Sequence, residues 1–228
     1  MQNLSASLSV FILKVRRGIL IKPYKTIAVE ASAEFVEKKS RFIGHIAPVK
    51  TEEEAQAFIS QISKKHRDAS HNVFAYVLKK SGISRCSDNG EPQGTAGVPT
   101  LDVLVKEDLT DVCVVTTRYF GGTLLGTGGL VRAYSHAAKI AVDAAQILHM
   151  TECVLLRVET DYGFYGKLTY MLPEHGAVIA ETDFAEKVTL LLKLRGDRRE
   201  PFTKALTELS NGQVTAELVE TFFGDMSD

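Results

Sequence analysis

Residues 111–120, DVCVVTTRYF, form a nearly continuous run of β-branched and apolar side chains. A run that does not alternate reads as a strand covered on both faces, not one with a wet side. Whatever the chain folds into must therefore place a layer above and a layer below it. The run leads into RYFGGTLLGTGGLVRAY (118–134), which sets five glycines between Arg118 and Arg132. It continues as GGLVRAYSHAAKIAVDAAQIL (128–148), alanine-rich on several sides and read as a long, closely packed helix.

Shorter signals flank this centre. SRFIGHIAPV (40–49) and HNVFAYVL (71–78) read as strands. TEEEAQAFISQISKKHRDA (51–69) reads as a helix, with Thr51 and Glu54 as a capping box and Ala55, Phe58, Ile59 and Ile62 on one buried face. Lys64, Lys65 and Arg67 fall where cations suit a helix C-terminus. VPTLDVLVKE (98–107) is a further helix with Pro99 in its first turn. Beyond His149–Thr151 the rhythm changes. CVLLRVET, YGFYGKLTYMLPEH, AVIAETDF, EKVTLLLKLR, REPFTKALTELS and QVTAELVETFF give the order β-α-β-β-α-β. The expected organisation is an α+β chain of two domains, 22–149 and 150–228, behind an extension over 1–21.

Composition narrows the functional classes. Residues 1–150 hold 19 Lys and Arg against 14 Asp and Glu, and residues 151–228 hold 8 against 14. A mildly basic first half is compatible with a nucleic-acid or ribosomal partner, though far short of a strongly basic binding domain. Cys86, Cys113 and Cys153 are odd in number and widely spaced, which argues against a disulfide framework or zinc pattern and for a reducing, cytoplasmic setting. No apolar run is long enough to span a bilayer. In MQNLSASLSVFILKVRRGIL the positive charges follow the apolar core, the reverse of a secretory signal. Arg16-Arg17 is encodable as a ribosome-binding site, with Leu20 or Ile21 as the start, so the extension is expected to lie outside the native protein.

Two stretches carry the candidate chemistry. The glycine-rich loop is not a P-loop, because Thr127 and Gly128 stand where Lys and Ser or Thr belong, and Val131 breaks a dinucleotide fingerprint. A buried strand, a glycine loop and a helix start nevertheless point free amides at one spot, which favours anions. The candidate anion or nucleic-acid site comprises Arg118, Tyr119, Phe120, Gly121, Gly122, Gly126, Gly128, Gly129 and Arg132, with Arg118 and Arg132 facing one concavity and an aromatic ring stacking on a base. Arg41 and Arg85 are further phosphate contacts. The competing reading is a tight connection whose glycines serve packing, and both stay open.

The second stretch, SDNGEPQGTAGVP (87–99), offers Ser87, Asp88, Glu91, Gln93, Gly94 and Thr95 as a functional loop. Asp88 and Glu91 can be drawn as an acid–base pair, and Ala96 and Gly97 as amides at the next helix start. No third ligand accompanies them, so neither a metal nor any other cofactor is expected. His66, Asp68 and His71 in HRDASH are read as a basic helix end and a turn, and nothing near Cys86 completes a cysteine enzyme.

In order and spacing, KKSRFIGHIAPV, SDNGEPQGTAGVP and RYFGGTLLGTGGLVRAY closely resemble the YigZ/IMPACT family, from about Lys22 to the C-terminus. The resemblance implies an N-terminal domain like the second domain of ribosomal protein S5 and a ferredoxin-like C-terminal domain, a pairing similar to neighbouring domains of elongation factor G. Eukaryotic relatives add an RWD domain and restrain a starvation-responsive kinase by competing for its ribosome-associated activator. Here KPYKTIAVEA leads directly into the shared region, so that activity is not carried over. The expected function is a non-catalytic module binding RNA, the ribosome or a translation component. The alternative is an enzyme or binding protein for a small phosphorylated or carboxylated molecule, with Asp88, Glu91 and Gln93 opposite Arg118 and Arg132.

Overall fold

The computed structural model describes residues 13–14 and 22–226. The expected extension over 1–21 and its alternative start therefore lie outside the described residues, apart from strand β1 (Leu13–Lys14). Two units emerge: Tyr24–Leu148, and His149–Asp228 with β1. Among the described residues no helix is long and apolar enough to cross a membrane.

In the first unit the chain runs β2 (Tyr24–Ile27), β3 (Ala31–Glu37), β4 (Ser40–Pro48), α1 (Glu52–Lys65), β5 (His71–Leu78), β6 (Ile83–Ser87), α2 (Gly97–Lys106), β7 (Val112–Tyr119) and α3 (Thr127–Asp143). The sheet order is β3-β4-β7-β5-β6, every pair antiparallel. The β-branched run is the central strand, β7, and its residues from Val112 to Arg118 are all buried. The two faces are sorted by alternation. Val112 and Val114 join Ile46, Ala75, Leu104 and Ala141 in the core under α2 and α3, whereas Cys113 and Val115 join Ala47, Phe58, Ile62 and Tyr76 under α1. Burial on that second face pushes the Cys113 thiol up to about 12, leaving it inert.

Helix α3 lies unusually close to the sheet. Its Ala133, Ala137, Ala138 and Ala141 are buried, and β4 answers them with Gly44, where a Cβ would lie 2.2 Å from the Ala137 carbonyl oxygen. Small residues on both sides let backbone approach backbone.

Strands β2, β3 and β6 and the ends of helices α1 and α3 are among the places where the structure differs from the sequence reading. Strand β3 escapes periodicity because its inward residues are Ala31, Ala33 and Phe35, too small a contrast with their neighbours. Strand β6, ISRCS, is a polar edge strand. Helix α3 stops at Asp143, not Leu148, since the Gln146 carbonyl accepts from the Ala28 N–H and β8 (Ile147–Thr160) has begun. Backbone pairing there overrides alanine's helix propensity.

The second unit runs on through β8, α4 (Tyr162–Met171), β9 (Val178–Phe184), β10 (Val188–Arg195), α5 (Arg199–Leu209) and β11 (Ala216–Asp225). Its antiparallel sheet has the order β1-β11-β8-β10-β9. Alternate residues Val154, Leu156 and Val158, with Val188, Leu190, Leu192 and Leu194, pack against Leu168 and Met171 of α4 and Phe202 and Leu206 of α5. The Asp161 carboxylate caps α4 by accepting from the Phe164 N–H at 2.7 Å. The protein is thus a mixed α/β chain built on antiparallel sheets.

The close approach of α3 gives a direct test. Gly44→Ala should cost about 1–3 kcal/mol or more, read as a lower urea midpoint, because the added methyl meets backbone and not a flexible side chain. An unchanged midpoint would mean that α3 shifts freely.

Candidate functional site

Both motif loops arise at one end of the first sheet, where β4 and β5 start and β6 and β7 finish. Their centre is a buried ion pair. Arg118, the last inward residue of β7, is 5% exposed, and Glu91 of the second loop is 8% exposed. Arg118 Nη1 donates to Glu91 Oε1 at 2.6 Å, and the Tyr134 hydroxyl donates to the same oxygen at 2.7 Å. His71 Nε2 stands 3.8 Å from it. The guanidinium lies between the rings of Phe42 and Phe120, 5.4 and 5.5 Å from their centroids, and its Nη2 donates to Ser40 Oγ at 3.4 Å. Burial, then the Glu91 carboxylate, raise the Tyr134 hydroxyl, which stays protonated as a donor.

The rest of SDNGEPQGTAGVP is held by Asp88. Its Oδ1 accepts from the Ala96 and Gly97 N–H groups at 3.0 and 2.8 Å, and its Oδ2 accepts from the Gly94 N–H at 2.9 Å. A carboxylate thereby closes the N-terminus of α2 from within the preceding loop. Burial pushes this carboxyl up, but the three amides outweigh it and hold Asp88 below the usual carboxylate range. Ser87 Oγ accepts from the Asn89 N–H, buried Thr95 donates to the Pro92 carbonyl at 2.6 Å, and Gln93 is exposed. The amides of Ala96 and Gly97 are therefore committed to Asp88.

In the glycine loop, Gly121 sits where a Cβ would lie 2.0 Å from the Lys39 carbonyl group, so the β3–β4 hairpin tip docks on it. The Gly121 N–H donates to Ser40 Oγ at 3.2 Å. Gly122 is exposed, and Gly126 precedes α3 with φ of 75° and supplies no side-chain cap for the helix start at Thr127, Gly128 and Gly129. Phe120 is 48% exposed beside Leu124, which is more so. Tyr119 is tied down: its hydroxyl donates to Asp68 Oδ1 at 3.3 Å and faces His66 Nδ1 at 2.9 Å.

The sequence reading set Arg118 and Arg132 at one concavity. The structure instead turns Arg118 inward to Glu91, because β7 alternation places it on the α3 face, and leaves Arg132 exposed on α3. Arg41 pairs with Glu34 at 2.6 Å, and Arg85 reaches Glu52 at 3.4 Å. The basic balance of the first half also shifts. Residues 24–148 hold 15 Lys and Arg against 14 Asp and Glu, so most of the excess lies before Tyr24. What matters is local. Lys38, Lys39, Lys64, Lys65, Arg67 and Arg132 are exposed and make no ion pair among the described residues. Their field is felt inside. Burial, then Lys65 and Arg41, push His66 down, while burial, His66 and Lys65 push His45 down to about 4. Among the described residues no three His, Cys, Asp or Glu side chains gather as a metal would need.

Ser40, Tyr134, Asn89 and the hairpin lysines were not singled out from the sequence. Tyr134 carried the clearest signal, a large polar aromatic in an alanine-rich helix. Asp88→Ala should remove the three amide contacts and cost roughly 1–3 kcal/mol at neutral pH. Because Asp88 is lowered in the folded state, its contribution is present above about 3.8 and fades as the pH falls through its lower folded value. Urea unfolding at pH 7 and well below pH 3.8 should therefore show the gap between wild type and variant narrowing in acid; a constant gap would contradict the ionised cap.

Comparison with known proteins places these loops in a family. Residues 38–142 match the Impact N-terminal domain, and residues 158–213 match a domain of unknown function, DUF1949. The chain is 38% identical over 195 residues to the IMPACT family member YvyE of Bacillus subtilis, covering 85% of this chain and 90% of the relative. It is 32% identical over 186 residues to the IMPACT family member YigZ of Escherichia coli, covering 80% and 91%. A protein IMPACT homolog of Dictyostelium discoideum is 33% identical over 125 residues, 52% of this chain and 35% of that one. A crystal structure of a hypothetical protein superimposes with a TM-score of 0.56 at 30% identity, covering 88% of this chain and 99% of that one. The chain belongs to the IMPACT family.

Proposed function

We propose that this protein is a non-catalytic cytoplasmic module that binds RNA, the ribosome or another translation component. One observation carries the reading: the unpaired cations Lys38, Lys39, Lys64, Lys65, Arg67 and Arg132 stand at the motif-bearing end of the first sheet, beside exposed Phe120 and Leu124. Cations without carboxylate partners are free to neutralise phosphates and release counterions, and an exposed ring gives a base a stacking face. Uncapped amides at Thr127, Gly128 and Gly129 add to the same electropositive end.

The likeness to translation proteins is a second, weaker support, because folds do not fix functions. The β-α-β-β-α-β order and the sheet order β11-β8-β10-β9 support the ferredoxin-like reading of 150–228. For 22–149 the ribosomal protein S5-like reading rests on resemblance. The enzyme alternative has less behind it. Asp88 is occupied by three amides, and Glu91 is enclosed by Arg118 and Tyr134, so neither carboxylate is presented to a substrate.

Binding to ribosomes and to single-stranded RNA should weaken as salt rises. In Lys64→Ala/Lys65→Ala/Arg67→Ala the slope of log affinity against log salt should fall by about 2, near the loss of three phosphate contacts. Absence of any salt-sensitive binding by the wild type would overturn the proposal.

A further inference from the structure

We propose that the groove between the β3–β4 hairpin tip and the first turns of α3 binds a phosphate monoester carried on a nucleoside, as at the 5′-monophosphorylated end of an RNA strand. The idea deepens the RNA-binding reading above and rests on it for its macromolecular ligand. The groove has a volume of about 280 Å³ and is lined by Phe35, Glu37, Lys38, Gly129, Arg132 and His136 among others. That is the low end of ligand pockets, room for a single nucleotide and not a run of bases.

Its charges suit a monoester better than an internal phosphodiester. Lys38 from the hairpin and Arg132 from α3 line it, and neither makes an ion pair among the described residues. A phosphate monoester carries between one and two negative charges at neutral pH and three acceptor oxygens, where an internal link carries one charge. Arg132 Nη1 lies over the first turn of α3, 3.5 Å from where a Cβ on Gly128 would stand. A planar fork in that position suits bidentate capture of phosphate oxygens.

The hairpin tip holds its lysines at a cost. Glu37 pairs with Ser40 across a two-residue turn in which Lys38 and Lys39 have φ of 45° and 68°. Such turns favour Asn-Gly, and each non-glycine L-residue in the left-handed region costs on the order of 1 kcal/mol. Two ammonium groups are thus kept where the backbone alone would prefer others. The wall is firm: the Phe35 ring stacks on Phe42 at 5.2 Å and meets the His136 ring edge-on at 4.5 Å. Glu37 repels a bare anion but accepts hydrogen bonds from ribose hydroxyls or a base amine, so the groove selects a nucleotide over inorganic phosphate.

The test compares a short 3′-labelled oligoribonucleotide bearing a 5′-phosphate with the same strand bearing a 5′-hydroxyl, by fluorescence anisotropy at one salt concentration. The wild type should bind the phosphorylated strand at least about tenfold more tightly, and Arg132→Gln should abolish that ratio while circular dichroism reports an intact fold. Equal affinity for both strands, or a ratio that survives in Arg132→Gln, overturns the groove and leaves general RNA binding standing. If neither strand binds, the RNA reading fails, and titration with AMP, adenosine and inorganic phosphate decides the groove. Displacement of the His136 ring resonances by AMP alone retains a monoester site for a free nucleotide, and no displacement overturns it.

Discussion

The buried pair of Arg118 and Glu91 is the constraint on which the motif-bearing end of the first unit depends. Glu91 Oε1 gathers Arg118 from β7, Tyr134 from α3 and, more distantly, His71 from β5. A charge removed from water must be compensated on every side, so the pair fixes the loop, the strand end and the helix together. Arg118 then brings Ser40 and the rings of Phe42 and Phe120 to its remaining faces. Through Ser40 the glycine loop is tied to the hairpin, since that one hydroxyl accepts from Gly121.

This arrangement divides the charged residues of the motifs into two groups. Asp88 is held by backbone amides, Glu91 and Arg118 by one another, and Arg41 by Glu34, so their charge is spent on holding loops in place. Lys38, Lys39, Lys64, Lys65, Arg67 and Arg132 carry charge that nothing among the described residues neutralises. The first group explains why the loops have a fixed shape. The second carries the proposed contact with an anion. Net charge hides this distinction, because the unit as a whole is close to balanced.

Much of the fold was legible in the sequence where hydrophobic contrast was strong. The run at 111–120 is a strand buried on both faces, and Thr51 caps α1 by accepting from the Glu54 N–H while Glu54 reaches back to the Lys50 N–H. The β-α-β-β-α-β order of the second unit followed from clean alternation in segments such as VTLLLKLR. Strands β3 and β6 were missed because small or polar side chains at sheet edges carry little periodic signal. The site was legible as a location and not as a set of roles. Sequence spacing located both loops, but only the alternation of β7 against α3 decides that Arg118 looks inward while Arg132 looks out. Nor does spacing along the chain reveal that the Tyr134 hydroxyl, far away in sequence, donates to the Glu91 carboxylate.

The most direct measurement is a double-mutant cycle between Glu91→Leu and Arg118→Met, followed by urea unfolding. If the pair is the anchor, each single variant strands a buried charge and loses about 3–5 kcal/mol, whereas the double variant loses far less than the sum. Single losses near zero, or losses that simply add, would contradict it and return both loops to independent surface connections.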